Sequence, residues 1–423
     1  VTAAHPGFAA VMADLFGAAP PARVGVALSG GGDSTALLAL AAGWAAAAGV
    51  ALAAATVDHG LRPGARAEAA AAGEMARGLG VAHDILAWQG WTGRGNLQDA
   101  ARRARRALLA DWARARGIDA VLLGHTADDQ AETVLMRLAR GSGVDGLSGM
   151  AALRRADGIT WARPLLGTRR AWLRDWLRAG AMVWAEDPSN ADPRFFRVRA
   201  RAALGGLADL GIDVAGLCAT ADRMRVARAA LDAATADALT RLADVDAAGD
   251  VRIAAAGLAA LPGELRLRVA ARAIMWVSGT QYRPRRTALS ALLERGGTLA
   301  GCVWTEAGAT IRIAREPAAL TGRVAAAGAR WDGRWRIEGP AVREGARIGA
   351  LGAAGLRACP DWRETGLPRA SLLATPALWR NDALIAAPVA APGGAWRAVL
   401  DPACGPLAPD CDYRVEPLAD IAI

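Results

Sequence analysis

Ser29-Gly30-Gly31-Gly32-Asp33-Ser34 lies between a short β-prone run at 24–28 and an Ala/Leu-rich helical run at 35–48. Glycine accepts φ values that other residues resist, so glycines clustered at a strand-to-helix switch let backbone N–H groups converge. The helix that follows adds its own free N–H groups and the positive end of its dipole, and the natural guest is an anion, most often phosphate. The stretch lacks the Gly-Lys-Ser/Thr ending of a Walker loop and the spacing of the dinucleotide fingerprint. Standing alone it would read as a glycine-rich turn.

It does not stand alone. From 24 to about 163, short apolar runs at 24–28, 51–57, 82–86, 120–123 and 159–162 alternate with helical stretches at 35–48, 66–78, 96–116 and 127–138. Such alternation implies a parallel sheet covered on both faces, with ligands beyond the carboxyl ends of the strands. The strand exits are chemically unusual. The first is the glycine stretch, and the second is Asp58-His59-Gly60-Leu61-Arg62-Pro63. The fourth is Gly124-His125-Thr126-Ala127-Asp128-Asp129-Gln130-Ala131-Glu132-Thr133. The chain has four histidines, and His59 and His125 both fall at these exits. One such histidine would read as a buried structural residue; two beside a phosphate loop favour function.

Asp128, Asp129 and Glu132 fall in the first turn of the helix at 127–138, with Thr126 as the expected N-cap. Carboxylates there complement the helix dipole with no further role. However, Asp129 and Glu132 share a face and project from the same sheet edge as the glycine loop, where they suit a divalent cation or a substrate ammonium. Arg102, Arg105 and Arg106 fall near one face of the helix at 96–116, which reads either as a nucleic-acid track or as a solvated face. The glycine-rich loop at 140–147 reads as a substrate-closing loop or an ordinary connection. The segment 186–201 mixes turn residues with an arginine ladder, Arg194, Arg197, Arg199 and Arg201, suited to clamping phosphate or substrate.

A chain of 423 residues implies two or three domains. No run of about 18 uncharged apolar residues occurs, and no basic-then-apolar leader opens the sequence, so no membrane span and a cytoplasmic location are expected. The five cysteines are widely spaced without a C-x-x-C pair, which fits reduced thiols. The sequence contains no lysine; all 50 basic residues are arginine, and the net charge is +9. A polyanionic partner explains that charge, as does GC-rich codon usage with solvated helix faces. Residues 205–300 read as helices at 223–242, 265–278 and 286–293. Beyond 311, Trp, Gly and Pro rise among strand-like runs such as 334–338 and 383–387.

Taken together, these residues resemble a known family. The glycine stretch is similar to the PP-loop of the N-type ATP pyrophosphatases. VDHGLRP at 57–63, NLQDAARRAR at 96–105, GHTADDQAETVLMRLARGSGVDGLSGM at 124–150, RPLL at 163–166 and EDPSNADPRFFRVRAR at 186–201 resemble the tRNA(Ile)-lysidine synthetases within that superfamily. YRPRR at 282–286 and GGTLAGC at 296–302 resemble later parts of some members.

The resemblance implies an α/β fold in which a parallel-sheet, Rossmann-like PP-loop domain of the adenine nucleotide alpha-hydrolase type spans 1–204. A helical linker that contacts tRNA would follow at 205–315, and a small β-containing C-terminal domain at 316–423. It implies a ligase that uses ATP to activate C2 of the wobble cytidine of a CAU-anticodon tRNA(Ile). Free lysine then displaces AMP, after pyrophosphate has left. By position, Ser29, Gly30, Gly31, Gly32 and Ser34 would cradle the phosphates, with Asp33 organising the loop or Mg²⁺. Asp58 and His59 would sit at the nucleotide edge. Asp129 and Glu132 would hold the lysine amino groups, and Arg197 or Arg199 its carboxylate or the α-phosphate. Asp33, His125, Asp129, Glu132 and Arg197 form the expected catalytic set, and Arg102, Arg105 and Arg106 the expected tRNA contacts. A homodimer counts among the expected assemblies. The competing readings are a tRNA thiolase of the same superfamily, an amidotransferase-linked synthetase, or a non-catalytic RNA-binding nucleotide sensor. The first is disfavoured because the first cysteine, Cys218, falls beyond the nucleotide domain, and the second because no glutaminase segment is visible. The third is disfavoured by the retained Asp33, His125, Asp129 and Glu132.

Overall fold

The computed structural model describes residues 7–17, 19–60, 64–89, 91, 97–186, 192–280, 282–340, 345–402 and 405–408. Leu61, Arg62, Pro63, Asn96, residues 187–191, Cys404 and Cys411 lie outside them. The chain forms two compact units, and the boundary falls after Arg228, inside a long helix.

The first unit opens with α1 (Phe8–Phe16) and then alternates: β1 (Arg23–Ala27), α2 (Gly32–Ala48), β2 (Ala51–Asp58), α3 (Ala65–Gly78), β3 (Ala82–Ala87), α4 (Leu97–Ala115), β4 (Ala120–Leu122) and α5 (Ala127–Leu138). A short α6 (Val144–Leu147), β5 (Leu153–Ala156), β6 (Ile159–Ala162), α7 (Arg170–Ala179), α8 (Phe196–Leu207) and the start of α9 (Val214–Leu242) complete it. The strand order is β3-β2-β1-β4-β6-β5, parallel throughout except for the edge pair β5/β6. Val24 is in register with Leu52 on one side and Ala120 on the other. The expected parallel sheet is therefore present, with strands within a residue or two of their predicted bounds.

Period-2 alternation divides β1 between two cores. Val24 and Val26 join Phe8, Met12, Leu37, Leu38, Leu173 and Leu177 on one face. Ala27 joins Leu109, Trp112, Val121 and Trp161 on the other. Each large side chain so buried contributes about 1.5–3 kcal/mol relative to exposure, which explains why a continuous apolar run serves as a two-sided central strand. The edge strand β5 went unanticipated because Arg154 and Arg155 disguise it. Its signal was the turn: Asp157 (φ 57°) and Gly158 (φ 79°) join Ala156 to its partner Ile159 in the two-residue hairpin that Asp-Gly favours.

From β1 the chain winds outward to β3, then returns to place β4 on the other side of β1. The reversal opens a crevice between the carboxyl ends of β1 and β4, where open α/β sheets bind ligands.

The second unit corrects the all-helical reading of 205–300. The helices are present as α9, α11 (Gly263–Ser278) and α12 (Arg286–Arg295), with a short α10 (Ala255–Ala260). Interleaved with them are β7 (Ala243–Val245), β8 (Val251–Ala254), β9 (Gly297–Leu299), β10 (Cys302–Ala307) and β11 (Thr310–Arg315), which form an antiparallel sheet of order β7-β8-β11-β10-β9. Runs of three or four residues are too short to show a period, and long-range pairing makes them strands. Ile253, Ile311 and Ile313 pack there against Val269, Ile274 and Val277 of α11. Beyond lie β12 (Ala325–Ala326), β13 (Trp335–Glu338), β14 (Ala346–Ala350), β15 (Pro376–Arg380), β16 (Ala383–Ala386) and β17 (Arg397–Leu400). They make a four-stranded sheet, β12-β14-β15-β16, and a β13/β17 pair. Arg315 is buried against Asp332 (Nε–Oδ2 2.8 Å), and the equally buried Arg334 sits 5.7 Å from the rings of both Trp276 and Trp335.

Candidate active site

The loop after β1 is closed by its own side chains. Ser34 Oγ accepts from Ser29 N (3.2 Å), lies 3.0 Å from Ser29 Oγ and donates to Gly31 O (3.0 Å). Gly30 has φ +84°, a left-handed conformation costly for any side chain, which turns the loop into α2. Ala185 N donates to Gly30 O (2.9 Å), so the segment after α7 lies along the loop. At the β4 exit a Cβ on Gly124 would stand 3.1 Å from the Ser34 backbone. The lack of a side chain there lets the first and fourth exits touch.

α5 begins with the expected cap. Thr126 Oγ1 accepts from Asp129 N (3.4 Å), while Asp129 Oδ2 accepts from both Thr126 N and Thr126 Oγ1 at 2.8 Å. The capping reading and the site reading meet in one side chain, because Asp129 Oδ1 is left facing the crevice. It accepts from Arg170 Nη2 at 2.8 Å. Burial is the largest influence on Asp129 and would raise its pKa. Arg170, Arg197, His125 and the Thr126 amide together outweigh it and hold the carboxyl down to about 2.

Arg170 is the residue the sequence reading missed. At the first position of α7 it donates from Nε to Asp33 Oδ2 (2.9 Å) and from Nη1 to Glu132 Oε1 (3.5 Å), as well as to Asp129. Asp33 and Asp129, on the helices that follow β1 and β4, are thus bridged by one guanidinium. A signal existed: a cation at a helix N-terminus opposes the dipole, so an arginine there needs carboxylates to hold it. Asp33 itself is raised above the ordinary carboxylate value by burial, against the pull of Arg170. Asp128, the other first-turn carboxylate, accepts from the Arg170 backbone N–H (2.7 Å) and serves α7.

Glu132 is 1% exposed and enclosed by arginines. Arg201 Nε donates to Oε1 (2.7 Å), and Arg197 Nε lies 3.3 Å from Oε2. Arg197 also reaches Thr133 Oγ1 (3.3 Å). Arg199 is not brought to these carboxylates. Half a turn of α8 carries it the other way, onto the Pro193 and Arg194 carbonyls and the Phe196 ring (5.4 Å). Arg201, in the same arginine ladder, is the one that joins Arg197 on Glu132.

His125 is 3% exposed, and neither ring nitrogen has a hydrogen-bond partner among the described residues. Burial first, then Arg163, Arg197 and Arg102, hold its pKa well below 6.5 against the opposing pull of Asp129. The ring is neutral at physiological pH and has one donor and one acceptor to offer a ligand. His59 is likewise neutral, brought down to about 4 by burial and Arg105. Its Nε2 accepts from Arg105 Nε (3.2 Å), which leaves the proton on Nδ1, and Trp88 meets the ring edge-on at 5.7 Å. Asp58 Oδ1 accepts from Gly60 N (2.9 Å) and shapes the turn.

On α4, Arg102 and Arg105 are half-buried and Arg106 is buried, so these three do not form a fully exposed track. Arg105 covers His59, and Arg102 lies close enough to His125 to shift it. Arg106 departs from the expected track: it is 5% exposed and paired with Asp157 at the β5–β6 turn, which leaves little of it for a nucleic-acid backbone. Arg106→Ala is expected to lower Tm by several degrees, on the order of 1–3 kcal/mol for a charge pair exposed on one side, and to leave the salt dependence of any nucleic-acid binding unchanged. Arg102→Ala is expected to reduce the slope of log affinity against log salt by about one. Binding titrations at several salt concentrations with a thermal melt of each variant check both, and a flattened slope for Arg106→Ala would restore it to the interface.

The glycine-rich loop after α5 is tied down. Arg137 Nη1 donates to Gly146 O (2.7 Å) and Gly149 O (2.9 Å), and the Gln130 amide exchanges hydrogen bonds with the Met150 backbone. Cys218 donates to Ala127 O (3.4 Å), and burial pushes its thiol up to about 11, so it is no thiolate nucleophile at neutral pH.

The PP-loop domain family matches residues 5–207. The tRNA(Ile)-lysidine synthase of Ruegeria pomeroyi is 49% identical over 91% of this chain and 93% of its own length. That of a Bradyrhizobium species is 46% identical over 67% of this chain and 83% of its own. Among solved structures, the U34-tRNA thiolase NcsA from Methanococcus maripaludis covers 51% of this chain and 77% of its own at TM-score 0.43 and 18% identity, a likeness that carries no functional weight. On the strength of its sequence relatives, the chain belongs to the tRNA(Ile)-lysidine synthase family of PP-loop ATP pyrophosphatases.

Proposed function

We propose that this chain joins free lysine to C2 of the wobble cytidine of a CAU-anticodon tRNA(Ile), consuming ATP. The observation that carries the reading is the meeting of Asp33, on the phosphate loop, with Asp129 and Glu132 across the β1/β4 crevice. In the first step the cytidine O2 attacks the α-phosphorus and pyrophosphate leaves. In the second the lysine ε-amine attacks C2 and the C2–O bond breaks, releasing AMP. Adenylation is needed because the bare oxygen is a very poor leaving group.

The loop N–H groups and the α2 dipole would receive the phosphates. Asp33 is the carboxylate at that position, and one carboxylate beside phosphate oxygens suits Mg²⁺, which supplies charge neutralisation when bound. Neutral His125 would hydrogen-bond to the nucleotide or the base. Asp129 and Glu132 would receive the lysine amino groups, with Glu132 or a neighbour taking the proton that the ε-ammonium loses before attack. Arg197 and Arg201 would balance the lysine carboxylate or the α-phosphate. Arg102 and Arg105 would meet the tRNA at the mouth of the crevice.

A cytoplasmic location, a homodimer and the division of labour at 204 and 315 belong to the same proposal. Among the described residues no single helix is long and apolar enough to cross a membrane.

The test is incorporation of radiolabelled lysine into unmodified CAU-anticodon tRNA(Ile) in the presence of ATP. Label in the tRNA is expected; sulfur transfer, or binding without incorporation, would overturn the reading.

A further inference from the structure

The carboxylates of the candidate lysine site already face cations of the chain itself. Asp33, Asp129 and Glu132 face Arg170, Arg197 and Arg201, three anions against three cations. Free lysine would bring two more ammonium groups to the same carboxylates. Two like charges about 4 Å apart repel by about 4 kcal/mol at an effective dielectric of 20, so a lysine ammonium and the Arg170 guanidinium compete for Asp129 and Glu132.

Arg170 has somewhere else to go. It is the residue that also holds Asp33, in the first turn after the phosphate loop, and its forked donors match phosphate oxygens as well as carboxylates. Its backbone is fixed, because its N–H is bound to Asp128 (2.7 Å) and α7 is anchored in the core by Leu173 and Leu177. With the backbone held, any movement of the guanidinium between the carboxylates and the loop falls to the side chain alone.

We propose that Arg170 is a positioning residue that makes lysine binding conditional on ATP. While the loop lacks phosphate, Arg170 occupies the carboxylates as an internal cation. When ATP arrives, its phosphates draw Arg170 away, and Asp129 and Glu132 become available to the amine. Lysine is thereby kept out until the group that activates the base is in place. This inference rests on the lysine-site reading given above.

The test is equilibrium dialysis of radiolabelled lysine against the full chain, with and without α,β-methylene-ATP, which cannot release pyrophosphate. The wild type is expected to bind lysine at least about tenfold tighter with the analogue, and lysine must tighten the analogue by the same factor. In Arg170→Gln the two affinities are expected to differ by less than about twofold, with lysine binding well in the absence of nucleotide. A purely structural role for Arg170 would weaken both ligands without abolishing their coupling. Should Arg170→Gln fail to fold, Arg170→Lys keeps one charge but loses the fork, and its coupling is expected to fall severalfold. Equal lysine binding with and without analogue in the wild type overturns the latch and leaves the site reading standing, as does undiminished coupling in a folded Arg170 variant. Absence of saturable lysine binding under every condition overturns both.

Discussion

Glu132→Gln is expected to leave adenylation of the tRNA nearly intact while lysine incorporation collapses. The substitution keeps the side-chain volume and an oxygen for Arg201, which now donates at 2.7 Å, but removes the one charge enclosed by Arg170, Arg197 and Arg201. Truncating one member of a buried, hydrogen-bonded charge pair costs about 2–5 kcal/mol, which is about 30- to 4,000-fold in affinity for an amine held there. The readout is a pair of assays on one preparation, transfer of α-labelled phosphate from ATP to tRNA and incorporation of labelled lysine. The difference should lie mainly in KM for lysine. An equal fall in both assays would make Glu132 a structural support of the loop instead.

Asp33→Ala is expected to fail one step earlier. Pyrophosphate release from ATP should fall by about two to three orders of magnitude, the scale seen when a positioned electrostatic group is removed from developing charge. tRNA binding, which this reading assigns to other elements, should be nearly unchanged. Asp33→Asn separates charge from shape, since it keeps an oxygen near Arg170 and loses the anion. Near-normal turnover in Asp33→Ala would remove the residue from the mechanism and leave Arg170 supported by Asp129 and Glu132 alone.

Much of the site was legible in the sequence because it is built at strand exits. The glycine loop, His125, Asp129 and Glu132 follow strands that a period of two and apolar content make readable, and in a parallel sheet all such exits lie at one edge. Thr126 and Asp129 were legible for a second reason, since a capping box is local. What escaped has its cause at long range. Arg170 is 137 residues from Asp33, and neither its neighbours nor its helix names its partners. Arg199 and Arg201 differ by half a turn of α8, and only the packing of α8 against α5 decides which reaches Glu132. Arg106 looked like its neighbours Arg102 and Arg105 until the β5–β6 turn was found against it.

The sequence by itself determined the alternating α/β order, the anion loop and the carboxylates at the β4 exit. These follow from periodicity, glycine and capping, all of which act within a few residues. The tertiary structure decided which charges meet. Asp33, Asp129 and Glu132 are gathered around Arg170, with Arg197 and Arg201 closing the other side. Pairing of buried charges depends on which faces of distant helices pack together, because uncompensated ions at these depths are too costly to leave. That requirement turned a run of arginines, legible only as positive charge, into one residue that holds both halves of the crevice.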